Sequence, residues 1–379
     1  MENVEGLGNW MKYSVFTLEE WFDRYEFKVD HLLGSSSCAG MTVNELFDLT
    51  GETIDFGKTR LTAAPVGGLP ELQEAIATWY KNTSPGEVFV TCSSTEAIFL
   101  LVESLVGAGD SVVAMFPMYP ALYQLASDIG AEVRKWRLRH EHQFRPDFAE
   151  LEELVDETTK LIVINNPQNP TGNVMSDEEL RSVIAVADRA GAKVWVDEVF
   201  RGITVDSNPA TASVRDLDQS TISSGSMSKS FGLSGLRVGW IAAPKEVLDS
   251  LWHIRYYTTV CAATIDQQIA ALAHRFRDVI LARNQAIVDE NFGVLQEWMA
   301  EKHGIFDWVK PLGGPITFPK FIPDVDTDEF CLQLAEKYSV LVPPGNYTFD
   351  AEGFIRIGYG MRRFGEAMEI VSGALDEYF

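Results

Sequence analysis

The chain has 379 residues, 46% of them hydrophobic, and sets 55 Asp and Glu against 31 Lys and Arg for a formal net charge of −24. That charge argues against nucleic acid or an anionic membrane as a partner, because both are themselves negative. The length suits two domains sharing one compact body.

Four cysteines, Cys38, Cys92, Cys261 and Cys331, contain no Cys-x-x-Cys pair. They read as reduced thiols of a cytoplasmic protein rather than a disulfide or zinc framework, and no metal site is expected. The opening run MENVEGLGNWMKYSVF lacks a basic region followed by an apolar core, so no leader is expected. The most apolar helix-like run, Ala97 to Ala108, carries Glu103 and is too short to span a bilayer.

Residues 1–45 are expected to be irregular apart from a helix over Phe16–Tyr25, with Thr17 as its N-cap and Glu20 three positions on. Gly34-Ser35-Ser36-Ser37-Cys38 is a flexible polar turn. From 46 to 260 the pattern alternates between strand and helix. Strands are predicted at Glu87–Thr91, Ser111–Phe116, Glu132–Leu138, Leu161–Asn165, Lys193–Val199 and Leu236–Ala243. Helices are predicted over Glu71–Tyr80, from Ser93-Ser94-Thr95-Glu96 to Val106, and over Ala121–Ile129, Phe148–Val155 and Pro244–Tyr257; a capping box at Ser176 opens another that runs to Arg189. Such repeats imply an α/β fold, a mostly parallel sheet covered by helices, with ligands beyond the carboxyl ends of the strands. A long helical region, about Asp266–Lys302, leads into a smaller α+β domain at 261–379, against which residues 1–45 are expected to pack.

Lys229 lies in a short polar loop, Ser224 to Ser230, and Arg237 follows eight residues later. Ser224, Ser226 and Ser228 offer hydroxyls and Arg237 a planar fork suited to phosphate. A reactive amine beside phosphate-binding groups points to an aldehyde cofactor that carries a phosphate, which is pyridoxal 5′-phosphate. The competing reading is a serine-rich surface loop with a solvated lysine.

Ser226, Lys229, Arg237, Gly239 and Trp240 resemble the lysine signature of the class I/II aminotransferases, the fold-type I pyridoxal-phosphate enzymes, and the resemblance extends over nearly the whole chain. It implies that Lys229 holds the cofactor as a Schiff base and later acts as general base. Asp197, in an Asp-Glu-x-aromatic motif at a strand end, would keep the ring nitrogen protonated. Asn169, in Asn169-Pro170-Thr171-Gly172, would bond the cofactor's phenolic oxygen and border the substrate. Tyr119 would stack on the ring. Ser93, Ser94 and Thr95, at a helix N-terminus, would take the phosphate, although an ordinary serine cap also fits. Arg356, an arginine inside an apolar strand, would clamp the substrate α-carboxylate, with a structural ion pair as the alternative. Ser36 and Ser37 would touch the same carboxylate through their backbone, unless the turn is a plain linker.

The resemblance further implies a homodimer, an α-amino acid substrate and a 2-oxo acid acceptor. Two positions depart from the family's pattern. Phe200 and Ala63 stand where tyrosines are common, so a hydroxyl to the cofactor and a cross-subunit phosphate contact are missing. The runs Leu18-Glu19-Glu20-Trp21, Gly34 to Ser37 and Thr42 to Leu46 also resemble the start of the capreomycidine synthase-like cyclases, aminotransferase-fold enzymes that dehydrate and cyclise a hydroxylated arginine. Amino transfer is the first expectation and elimination with cyclisation the second. A non-catalytic regulator built on the same fold is a third, disfavoured by the intact set of polar groups.

Overall fold

The computed structural model describes residues 12–206, 208 and 211–379. Most of the opening run read for a leader, residues 1–11, lies outside the described residues. Among the described residues, no helix is long and apolar enough to cross a membrane.

Seven strands form the central sheet: β1 (Val88–Thr91), β2 (Ser111–Phe116), β3 (Glu132–Arg137), β4 (Thr159–Asn165), β5 (Lys193–Asp197), β6 (Ile222–Ser226) and β7 (Gly239–Ala242). Their spatial order is β1-β7-β6-β5-β4-β2-β3. The pairs β2·β3, β2·β4, β4·β5 and β5·β6 are parallel. β7 runs antiparallel to both β6 and β1. The other six strands therefore share one direction, and their carboxyl ends open on one edge. Continuous apolar runs such as Leu161–Ile164 are buried on both faces, as a sheet with helices on either side requires.

Strand β6 was not expected. Ser223, Ser224 and Gly225 are poor strand formers, and the sequence there reads as a polar loop. Tertiary contacts override that preference. The Ser223 hydroxyl donates to Glu198 at 2.8 Å and lies 3.2 Å from the Tyr80 hydroxyl. Ser224 accepts from the Trp195 indole at 2.9 Å. At Gly225 any Cβ would run into the Trp240 ring. Small polar residues fit here because each hydroxyl finds a buried partner.

The first helix spans Thr17–Tyr25 as expected, but its cap differs. Phe16 occupies the N-cap and no side chain caps the helix. Glu20 instead accepts from the Tyr347 hydroxyl at 2.6 Å and from Arg24 at 3.3 Å, so it cannot complete a box with Thr17. True capping boxes occur at Ser176 and, unexpectedly, at Thr42, which opens the helix Val43–Thr50. The expected helical region after 266 is two helices, Thr264–Arg275 and Arg277–Glu301, broken at Phe276.

Two cores organise the rest. Leu72, Val90, Trp240 and Ala270 join in one, so Thr264–Arg275 packs with the sheet's outer layer. Trp21, Leu33, Val288, Leu341, Ile357 and Leu375 join in another, which ties the N-terminal segment to the C-terminal elements. A parallel bridge, His31 to Val340, stitches the two chain ends together.

Candidate active site

A cavity of about 400 Å³ lies at the carboxyl edge of the sheet, lined on one side by the helix Thr17–Tyr25 and the Ser35–Ser37 turn. Topology sets its walls. Asn165 and Asp197 end the adjacent strands β4 and β5 and sit opposite each other. Lys229 follows the end of β6 by three residues, and Ser93 follows the end of β1 by two.

Asp197 is 5% exposed. Ser224 donates to its Oδ1 at 2.8 Å, and the Asn165 amide donates to its Oδ2 at 3.3 Å and to its backbone carbonyl at 2.9 Å. Burial pushes its carboxyl up to about 7, opposed by the Ser224 hydrogen bond. Ser224 was expected to offer its hydroxyl to a phosphate. The pleat of β6 turns it toward Asp197 instead.

Lys229 donates from Nζ to the Ser36 hydroxyl at 2.9 Å. Burial, with repulsion from Arg356, lowers its amine to about 8. Arg356, 2% exposed, donates to Asn169 Oδ1 at 3.1 Å and to the Gly34 carbonyl at 2.7 Å. Its Nε has no partner among the described residues, and burial lowers the group to about 10. No carboxylate pairs with it among the described residues, so the structural ion pair weighed as an alternative is not what this arginine makes. Asn169 is held in turn, its backbone N–H donating to Asn165 Oδ1 at 2.7 Å.

The helix Ser93–Leu105 points its N-terminus into the cavity, and no side chain caps it. Ser93, Ser94 and Thr95 all line the wall. Gly239 makes this placement possible: a Cβ there would lie 2.5 Å from the Ser93 carbonyl carbon and 2.6 Å from the Ser94 nitrogen. Arg237 reaches the same end of the cavity from a left-handed backbone position, φ 49°, and donates to the Ser234 carbonyl at 2.9 Å. Ser226 does not line the cavity. Its hydroxyl accepts from the Ser228 N–H at 2.9 Å and shapes the lysine loop from behind.

Tyr119, Phe200, Ser36 and Ser37 also line the cavity. The Tyr119 hydroxyl donates to Glu19 at 2.7 Å. Glu19, Phe22 and Glu26, which also line the cavity, were missed by the sequence reading. The only available signal was their three-and-four spacing on a helix whose adjacent stripe, Leu18, Trp21 and Tyr25, is buried.

Comparison with known proteins places the chain in a family. The chain matches the family described as aminotransferase class I and II over residues 31–364. It is 31% identical to capreomycidine synthase from Streptomyces vinaceus over 350 residues, 91% of this chain and 89% of that protein. A PLP-dependent aminotransferase from Streptococcus suis superposes with a TM-score of 0.92 at 33% identity, covering 97% of this chain and 99% of that one. The PLP-dependent cyclase OrfR superposes with a TM-score of 0.89 at 28% identity, covering 97% and 98%.

Proposed function

This chain belongs to the class I and II aminotransferases, and on that footing we propose that it moves the amino group of an α-amino acid to a 2-oxo acid with pyridoxal phosphate as cofactor. One observation carries the reading. Lys229, Asp197 and Arg356, from three distant segments, face a single cavity, and the arginine keeps a buried N–H free.

The residues fit the cofactor. Ser94, Thr95 and Arg237 would hold the phosphate, the helix N-terminus adding its N–H groups and dipole. Asp197 would sit at the ring nitrogen, where a positive partner would draw its raised carboxyl back to the ionised form. Tyr119 would cover one ring face and Asn169 would meet the phenolic oxygen. Bound there, pyridoxal phosphate supplies a carbon that condenses with amines and a ring that accepts the electrons left when the α-proton departs.

The chain's own groups do the rest. Lys229 holds the cofactor. Its lowered basicity leaves part of the amine unprotonated near neutral pH, and that amine would take the proton from Cα and pass it on. Arg356, with the Ser36–Ser37 turn beside it, binds the α-carboxylate and so orients the Cα–H bond. The Thr17–Tyr25 helix forms one wall beside them. The test is release of one 2-oxo acid per site when the holoenzyme meets an amino acid without an acceptor; no such release from any amino acid would sink amino transfer.

A second reading is supported by the capreomycidine synthase and OrfR similarities and by Phe200, which brings no hydroxyl to the cofactor. On it the same proton abstraction leads to elimination and ring closure. An unsaturated or cyclic product from hydroxylated arginine, without net amino transfer, would establish it.

Two domains, divided at about 46 and 261, and a homodimer complete the proposal. Most soluble oligomers are two-fold. Tyr256, 54% exposed, and Tyr257, 93% exposed, adjoin Thr258 and Thr259, whose hydroxyls bond Glu96 on the cofactor helix. That apolar patch close to the site suits a second copy. Four free cysteines suit a cytoplasmic protein.

A further inference from the structure

The charged groups of the cavity do not balance against the proposed reaction. Lys229, Asp197, Arg237 and Arg356 each have a task in it. Glu19 and Glu26 have none. They are seven residues apart, two helical turns and about 10 Å of rise, so they share a face with Phe22 between them. Glu26 keeps helical backbone, φ −52° and ψ −39°, one residue past the helix end. Both carboxylates line the cavity, whereas the neighbouring Glu20 turns away to Tyr347 and Arg24.

Among the described residues, neither carboxylate is neutralised by a partner of its own. Glu19, an exposed residue at the cavity rim, accepts among the described residues only the neutral Tyr119 hydroxyl at 2.7 Å, and its charge acts on Lys229 and Arg356. Burial raises Glu26, the negative charge of Glu19 raises it further, and the Lys229 cation opposes both. Two like charges facing one space leave it short of a cation. A second observation is independent of them. Arg356, 2% exposed and with its Nε unpartnered, lines the same cavity and leaves a place for an anion. A cavity that lacks an anion beside Arg356 and a cation beside Glu19 and Glu26 matches an amino acid charged at both ends.

We propose that Glu19 and Glu26 form the side-chain subsite for an amino acid whose far end carries a guanidinium or ammonium group. This rests on the reading of the cavity as an α-amino acid site. Phe22 offers an apolar surface for the methylene stem. Arg356 and Lys229 repel a cationic side chain that enters the wrong way round, so one orientation is selected. An acidic side chain meets two carboxylates and is rejected.

The test compares L-arginine with L-citrulline, its neutral near-isostere, by titrating the holoenzyme and following both heat and cofactor absorbance. L-Norleucine and L-glutamate complete the panel. Arginine is expected to bind about tenfold or more tightly than citrulline, the range of a partly desolvated ion pair, with glutamate weakest. Glu19→Gln keeps an acceptor for Tyr119, and in the Glu19→Gln/Glu26→Gln double variant the arginine-to-citrulline ratio should fall toward one. Retained cofactor absorbance shows that the variant is folded. Equal binding of arginine and citrulline by the parent enzyme, or a ratio unmoved in the double variant, overturns the inference. If norleucine binds while arginine gains nothing over citrulline, only the inference falls. If no amino acid binds, the amino-acid reading of the cavity falls with it.

Discussion

The Lys229 amine donates to the Ser36 hydroxyl at 2.9 Å, across 193 residues of sequence. That contact joins the lysine loop to the N-terminal segment and sets the Ser35–Ser37 turn directly on the lysine amine. It also gives the amine a neutral partner, in keeping with its lowering to about 8.

Lys229→Ala should abolish turnover and leave a folded protein. Borohydride reduction of the parent holoenzyme should attach the cofactor covalently to the peptide that contains Lys229. Mass spectrometry that finds the label on another lysine would show the assignment to be wrong.

Asp197→Asn should slow turnover on the order of a hundredfold or more, the range of a group that stabilises developing charge, with cofactor still held at the phosphate end. Turnover near that of the parent would remove Asp197 from the ring.

The same substitution makes a stability prediction with a definite sign. Burial raises Asp197 from 3.8 to about 7, so between those values the folded state holds a proton that the unfolded chain has lost. Stability from this group is present below pH 3.8 and is lost as the pH climbs to 7. In cofactor-free protein, Asp197→Asn should therefore raise Tm at pH 8 and change it little at pH 4. The gain is at most a few kcal/mol. A lower Tm at pH 8 would mean that the ionised carboxylate is well stabilised by Ser224 and Asn165.

Gly239→Ala should push the helix Ser93–Leu105 away from β7, because the new Cβ would sit 2.5 Å from Ser93 backbone. The phosphate end moves with it. Equilibrium dialysis should find weaker cofactor binding, with the substrate KM at saturating cofactor much less affected. Unchanged cofactor affinity would argue against a phosphate site at this helix.

Arg356→Lys keeps the charge and loses the fork. KM should rise and α-proton removal, read by deuterium exchange at Cα, should slow, because orientation is lost along with binding. The cofactor spectrum should not change. Release of cofactor would make Arg356 a phosphate ligand; a lower Tm with normal kinetics would make it a purely structural arginine.

Much of this was legible in the sequence for a local reason. Strands such as Ser111–Phe116 and Leu161–Asn165 are apolar runs between turn formers, and the Ser176 capping box is a three-residue signal. Lys229, Asp197, Asn169 and Arg356 stand in short motifs whose residue types announce polar chemistry. Tertiary structure decided what depends on partners far away in the chain. Ser224 reads as a loop serine until Trp195 and Asp197 close around it within the sheet. The reversed direction of β7 follows from its pairing with β1 and β6, which no local pattern encodes. Glu19 and Glu26 look like ordinary surface glutamates of an amphipathic helix. They become cavity residues only because the adjacent stripe of that helix, Leu18, Trp21 and Tyr25, is buried and sets them beside Lys229 and Arg356 along the cavity wall. The sequence determined which groups could do the chemistry; burial and long-range packing decided which charges they face.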